Sequence, residues 1–230
     1  MKILSWNIRQ GGGSRSKGIV RAIREINPDI LALNEWRNNA TGTQMRIDLL
    51  RLGYLHQVTS AAQSSSNTAF LASKFPCSSI LYSDIDDLYS DNVVAGIFGA
   101  FTILSVYLPH KKKHRLLDWI IDEFIVEHPT SIIVGDYNTG INHVDQDGDS
   151  FWYTDRLETL STKGFRDAFR ALNGDKREYS WYSHQGNGYR YDHSYAADHL
   201  LPLIQSCEYL HHYREGGLSD HSPMLLVLGS

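Results

Sequence analysis

One short run constrains the chain more than any other: Ser131-Ile132-Ile133-Val134-Gly135-Asp136-Tyr137-Asn138. Successive β-branched apolar side chains, with Pro-Thr-Ser leading in and Gly135 leading out, read as a strand buried on both faces. Its exit carries Asp136 and Asn138, and residues i and i+2 of an extended chain project from the same side. A carboxylate and an amide then face one spot at a sheet edge. That pairing suits a phosphate beside a divalent cation, the carboxylate orienting water or binding the ion and the amide donating to a phosphoryl oxygen. Asp and Asn after a strand are also ordinary turn formers, so the rest of the chain has to decide.

An apolar run ending in a polar side chain recurs along the chain. Lys2–Ile8 reads as a strand with Asn7 at its exit, and Ile30–Leu33 as a buried strand followed by Asn34-Glu35-Trp36. Thr68–Ala72 reads as a strand, and Val93–Phe98 with Phe101–Leu108 as a hairpin whose second arm holds Tyr107. Tyr179-Ser180-Trp181 and Tyr189–Tyr195 flank a Gly186-Asn187-Gly188 turn, and Ser219-Asp220-His221-Ser222 precedes a closing strand, Met224–Leu228. Helical spacing joins Ile19, Ile23 and Ile26, then Met45, Leu49 and Leu52, and later Leu117, Ile120, Ile121 and Phe124. Strands outnumber helices and their alternation is irregular. The expectation is one α/β (α+β) domain over residues 1–230, with two packed β-sheets and helices outside.

Composition limits the partners. Twenty-two basic residues against 26 acidic ones leave a formal charge of −4, so a basic coat does not hold nucleic acid here. Local cations or a bound metal must meet an anionic substrate. A local exception is the loop His110-Lys111-Lys112-Lys113-His114-Arg115, which reads either as a solvated loop before a helix or as a phosphate-backbone contact. Cys77 and Cys207 lie far apart with no C-x-x-C spacing, which suggests a reducing compartment. No apolar run could span a bilayer, and the start reaches polar residues too early for a signal-peptide core. A cytoplasmic protein without membrane insertion, and a monomer, is the expectation.

Taken together and in order, Trp6-Asn7, Glu35 after a strand, Tyr107-Leu108-Pro109, Gly135-Asp136-Tyr137-Asn138, Tyr179-Ser180-Trp181, Arg190-Tyr191-Asp192 and Ser219-Asp220-His221-Ser222-Pro223 resemble the endonuclease/exonuclease/phosphatase superfamily. Within it, Gly164–Arg170 and the Gly188-Tyr189-Arg190-Tyr191-Asp192 run look most like the exonuclease III and abasic-site endonuclease branch. The resemblance implies a four-layer sandwich, two β-sheets face to face with helices on both outer sides. It also implies that Glu35, with Asn7 nearby and Asp220 at a second position, holds magnesium or manganese. Asp136 would orient or deprotonate the attacking water, Asn138 would position it or the phosphate, and Tyr107 would contact the phosphate. His221 would donate to a phosphoryl oxygen, with Asp192 fixing its tautomer. Trp181, Tyr189, Arg190 and Tyr191, with His110, Lys111, Lys112 and Lys113, would lie beside the substrate.

Several positions depart from that branch. Arg9 stands where Asn or Asp is usual beside the metal, His110 replaces an Asn, Tyr189 a Trp, and His193 a Tyr. The first reading is a divalent-metal-dependent phosphodiesterase acting on DNA as endonuclease or exonuclease. The alternatives are a phosphatase or phosphodiesterase of a small phosphorylated molecule or lipid headgroup, and an inactive nucleic-acid-binding module.

Overall fold

Apolar runs bounded by turn residues become strands, and amphipathic stretches become the helices laid over them. The computed structural model describes residues 1–82, 85, 89–111 and 113–229. In chain order the strands are β1 (Lys2–Asn7), β2 (Ile30–Trp36), β3 (His56–Thr59), β4 (Thr68–Ser73), β5 (Ser78–Ile80), β6 (Val93–Phe98) and β7 (Phe101–Tyr107). They continue with β8 (Ser131–Asp136), β9 (Phe165–Asp167), β10 (Trp181–Tyr182), β11 (Gly188–Tyr189), β12 (Asp192–Ala197), β13 (Ile204–Tyr209) and β14 (Met224–Leu228). The helices are α1 (Ser16–Ile26), α2 (Ala40–Arg51), α3 (His114–Trp119), α4 (Ile125–Glu127), α5 (Thr154–Thr162), α6 (Ala168–Asn173) and α7 (His211–Glu215). Among them, no helix is long and apolar enough to cross a membrane.

Two six-stranded sheets form, in the orders β13-β14-β1-β2-β4-β3 and β5-β6-β7-β8-β12-β9, while β10 and β11 make a small separate ribbon. Both large sheets are mixed: β1 runs parallel to β2, and β7 parallel to β8. The first sheet is buried on both faces, so its side chains divide by parity. Ile3, Ile30 and Ala32 point into the core shared with the second sheet. Leu4, Leu31 and Leu33 point outward, under Ile19 and Ile23 of α1 and Met45 and Leu49 of α2. Leu33 is fully buried, and truncating such a leucine to alanine costs about 2–5 kcal/mol.

The two parallel pairs gather the polar strand ends. Asn7 lies beside Asn34 in register, and Tyr107 beside Asp136. Asp192 opens β12 directly opposite Asp136, because β12 is antiparallel to β8. His221 precedes β14, which is antiparallel to β1. Strand exits and strand entries of both sheets therefore share one rim. Two expectations change. Tyr189–Tyr195 is not one strand, since the chain leaves β11 at Tyr189 and enters β12 only at Asp192. The edge strand β13 was not anticipated, because Gln205 and Glu208 interrupt its apolar pattern.

Candidate active site

The first sheet supplies Glu35 through a distortion. The β2–β4 register skips from Asn34 to Trp36, so Glu35 is the bulged residue, and its φ is +53°. A bulge re-aims a side chain out of the strand's alternation, and left-handed backbone away from glycine costs on the order of 1–2 kcal/mol. The carboxylate is then held in place. Its Oε1 accepts from Asn7 Nδ2 (3.2 Å), and its Oε2 from the Gln10 amide (2.7 Å) and Asn67 Nδ2 (3.0 Å). Tyr107 bonds to both Glu35 and Asn67. Burial, then the negative charges of Glu35 and Asp136, push its phenol above the usual range.

Buried Asn34 ties the sheets together at this rim. Its Nδ2 donates to the Val106 carbonyl (2.7 Å), and its Oδ1 accepts from the Asp136 amide (3.0 Å). Between β7 and β8 the backbones come so close that a Cβ on Gly135, at φ +153°, would lie 1.9 Å from the Val106 carbonyl oxygen. Glycine is required there.

Asp136 itself is fully enclosed in donors. Its Oδ2 accepts from Asn7 Nδ2 (2.8 Å) and Asn138 Nδ2 (3.2 Å), and its Oδ1 from the Asn138 amide (2.9 Å). Asn138 Nδ2 also donates to the Leu108 carbonyl (2.8 Å), so this side chain orients Asp136. Across the rim, His221 Nδ1 lies 2.8 Å from Asp192 Oδ2. A carboxylate accepts only, so the imidazole carries its proton on Nδ1. Asp192 is buried, and its Oδ1 has no hydrogen-bond partner.

Electrostatics follow from this burial. Burial, with the charge of Asp192 adding to it, raises the Asp136 carboxyl towards neutrality, to about 7, against the opposing pull of His221. Burial alone would lower the His221 pKa, but Asp192 and Asp136 outweigh it and hold the ring protonated well above its ordinary value. Asp136, Asp192 and His221 each offer an atom within 4.8 Å of the others. With Asp192 paired to the cationic ring and Asp136 enclosed in donors, half-buried Glu35 is the carboxylate left at the rim for a divalent cation. Its carboxylate oxygens suit a hard ion such as magnesium or manganese.

The other expected residues divide. Asn7 presents its nitrogen to both carboxylates, while its oxygen accepts the Arg9 amide (2.9 Å), so it bridges Glu35 and Asp136. Asp220 pairs with Arg9, at 3.6 Å on the exposed side of the rim. Trp181 and Tyr191 stack obliquely beside His221, with centroids 5.4 Å apart. Tyr189 is buried, and its hydroxyl accepts the Asp149 amide (3.0 Å), which makes it a strut for the 146–152 segment. His110 lines the cleft, and Lys111, next along the chain, is exposed. Lys112 lies outside the described residues.

Two expectations are corrected. Arg190 is fully buried, bonded to Asp145 (2.7 and 2.9 Å) and to Asp167 (2.5 Å), so it cannot touch a substrate. Lys113 is also buried and donates to the Asn138 carbonyl; its burial pulls the amine down to about 8. It is no part of a solvated basic loop. Sequence reasoning also missed Asn34 and Asn67, which no pattern in the chain sets apart from turn residues.

The chain belongs to the endonuclease/exonuclease/phosphatase family, whose description matches residues 4–221. A DNA-(apurinic or apyrimidinic site) endonuclease of Dictyostelium discoideum is 24% identical over 99% of this chain and 70% of its own. Among solved structures, an AP endonuclease from Archaeoglobus fulgidus superposes with a TM-score of 0.85 at 20% identity, over 100% of both chains. A variant of the 3′ phosphatase NExo from Neisseria, bound to a product DNA hairpin, gives 0.85 at 18% identity, again over 100% of both.

Proposed function

We propose that this protein is a divalent-metal-dependent phosphodiester hydrolase acting on DNA, as an endonuclease or exonuclease, by attack of water on phosphorus. The observation that carries the reading is the buried Asp192–His221 pair standing beside Asp136 on a rim shared by both sheets. Asp136, raised towards neutrality by burial, suits the task of taking a proton from water near the operating pH. Asn138 and Asn7 fix its orientation through their donors. His221, kept cationic by Asp192, places a positive donor where charge builds on a phosphoryl oxygen. Glu35, with Asn7 beside it and Asp220 at a second position, would hold the cation. When bound, that ion supplies Lewis-acid neutralisation of phosphoryl and leaving-group charge. DNA as substrate is supported by the relatives named above, an abasic-site endonuclease and a phosphatase bound to a DNA hairpin.

One panel tests this reading. Plasmid, single-stranded DNA, RNA, abasic duplex and phosphorylated small molecules are offered with magnesium, with manganese and with EDTA. Metal-dependent scission of DNA is the expected outcome. Hydrolysis of the small phosphoesters alone would move the reading to a phosphatase.

A further inference from the structure

We infer that Phe151 and Trp152 form a stacking subsite for the intact, unpaired base of the nucleotide beside the scissile phosphate; the inference rests on the nucleic-acid reading above. A cavity of about 420 Å³ opens next to Asn138, lined by Phe151, Trp152, Tyr189 and Tyr191 and also by His110 and Lys113. Cavities of roughly 300–1,000 Å³ hold small ligands, and this one adjoins the phosphoryl chemistry directly.

Trp152 is 67% exposed, although tryptophan is highly buried on average. Its loop is not slack. The Phe151 amide donates to Asn142 Oδ1 (2.7 Å), Thr139 Oγ1 donates to the Trp152 carbonyl (2.7 Å), and the Asp149 amide donates to the Tyr189 hydroxyl (3.0 Å). Gly148 has no room for a side chain, since a Cβ would sit 2.0 Å from the Tyr189 hydroxyl oxygen. Tyr153 then turns the chain away at φ +67°. A pinned backbone therefore holds a large ring in water at the mouth of the cavity. Thr139 and Asn142 follow Asp136 and Asn138 along the chain, which locks this wall in register with the reacting phosphate.

The chemistry selects the ligand. Aromatic faces bind bases without reading their sequence, because every base has a π-face. A baseless sugar offers none. A base stacked inside a duplex is out of reach until it is extruded or frayed. The occupant is thus a nucleotide that keeps its base and has lost its partner, as at a frayed end or in a single strand. His110, which also lines the cavity, supplies a polar contact for its backbone.

The test uses the full chain in EDTA, titrated into a single-stranded oligonucleotide with 2-aminopurine near its 3′ end, whose fluorescence falls on stacking. Wild type should quench it. Trp152→Ala should lose most of the quench and bind about tenfold more weakly, within what stacking of one base contributes, and Trp152→Phe should restore most of both. Equal quench and affinity in Trp152→Ala would overturn the subsite. With magnesium, the ratio of kcat/KM on an intact nucleotide to that on a tetrahydrofuran abasic one should fall about tenfold in Trp152→Ala, and an unchanged ratio would also overturn it. A wild type that quenches but hydrolyses no phosphodiester with any divalent cation would support the subsite and remove the hydrolase reading alone.

Discussion

Asp192 and His221 meet at 2.8 Å across the boundary between the two sheets. Asp192 opens β12 of one sheet, and His221 precedes β14 of the other. Both backbones are tethered from the first sheet. Trp6 Nε1 of β1 donates to the His221 carbonyl (3.0 Å), and the Tyr209 hydroxyl of β13 donates to the Asp192 carbonyl (2.5 Å). The separation of the pair is thus set by how the sheets dock.

A carboxylate that only orients and charges an imidazole has nothing left to do once the ring is gone. His221→Ala should lower kcat by about 10²–10⁴. Adding Asp192→Ala should slow it no further by more than about threefold, since residues acting as a unit are non-additive. Losses that multiply in single-turnover assays would show that the two residues act separately.

Glu35→Ala should weaken manganese binding, read by electron paramagnetic resonance, by at least about tenfold, and suppress turnover that EDTA also abolishes. The hydrogen bonds its carboxylate accepts are lost, at about 1 kcal/mol each or less for part-exposed bonds. The melting temperature should therefore move by only a few degrees. Full turnover in EDTA would end the metal reading.

The buried Arg190 cluster predicts an acid limit to stability. Burial alone would raise the Asp167 carboxyl, but Arg190 and His193 outweigh it and hold it well below the usual range. A depressed folded pKa stabilises fully above the unfolded value, about 3.9, and that stabilisation is lost as pH falls towards the folded one. Urea unfolding from pH 6 to pH 2 should show stability declining below about pH 4, with a shallower decline in Asp167→Asn. At neutral pH, Arg190→Met leaves the buried Asp167 without its arginine, while Asp145 keeps Arg170, and should cost about 3–5 kcal/mol. Matching pH slopes in wild type and Asp167→Asn would count against this account.

Lys111 and Lys113 should separate cleanly. Exposed Lys111, if it neutralises one phosphate, contributes about 0.7–0.9 to the slope of log K against log salt, and Lys111→Ala should remove it. Buried Lys113 is bonded to the Asn138 carbonyl, so Lys113→Met should leave the slope unchanged and lower kcat. Fluorescence anisotropy on DNA across a salt series, beside steady-state rates, reads both. A slope that falls only in Lys113→Met would reverse the assignment.

The sequence made the strand exits visible, and the rim follows from them: Asn7, Glu35, Asp136 and His221 each end or begin an apolar run. Arg190 was misplaced because the resemblance carried it to the substrate along with its neighbours. Between β11 and β12 the chain instead turns its side chain into the core, onto Asp145 and Asp167. Lys113 was misplaced because a run of lysines does not reveal which one sits at the N-cap of α3, where the chain turns inward. Asn34 was hidden by its neighbour: beside an acid at a strand exit, an amide that clamps two sheets looks like a turn residue. The exposure of Trp152 depends on hydrogen bonds from Thr139 and Asn142, which no spacing rule anticipates.

The meeting of Trp6 with His221, and of Ser219 Oγ with the Asn7 carbonyl (2.6 Å), has a consequence for a chain still on the ribosome. Synthesis lays down Glu35, Asp136 and Asp192 well before the imidazole, and the imidazole is seated only when the last strand closes on the first. A nascent chain of this kind holds its carboxylates but lacks the imidazole that pairs with Asp192. Until β14 has been made and has closed on β1, the rim has no seated imidazole.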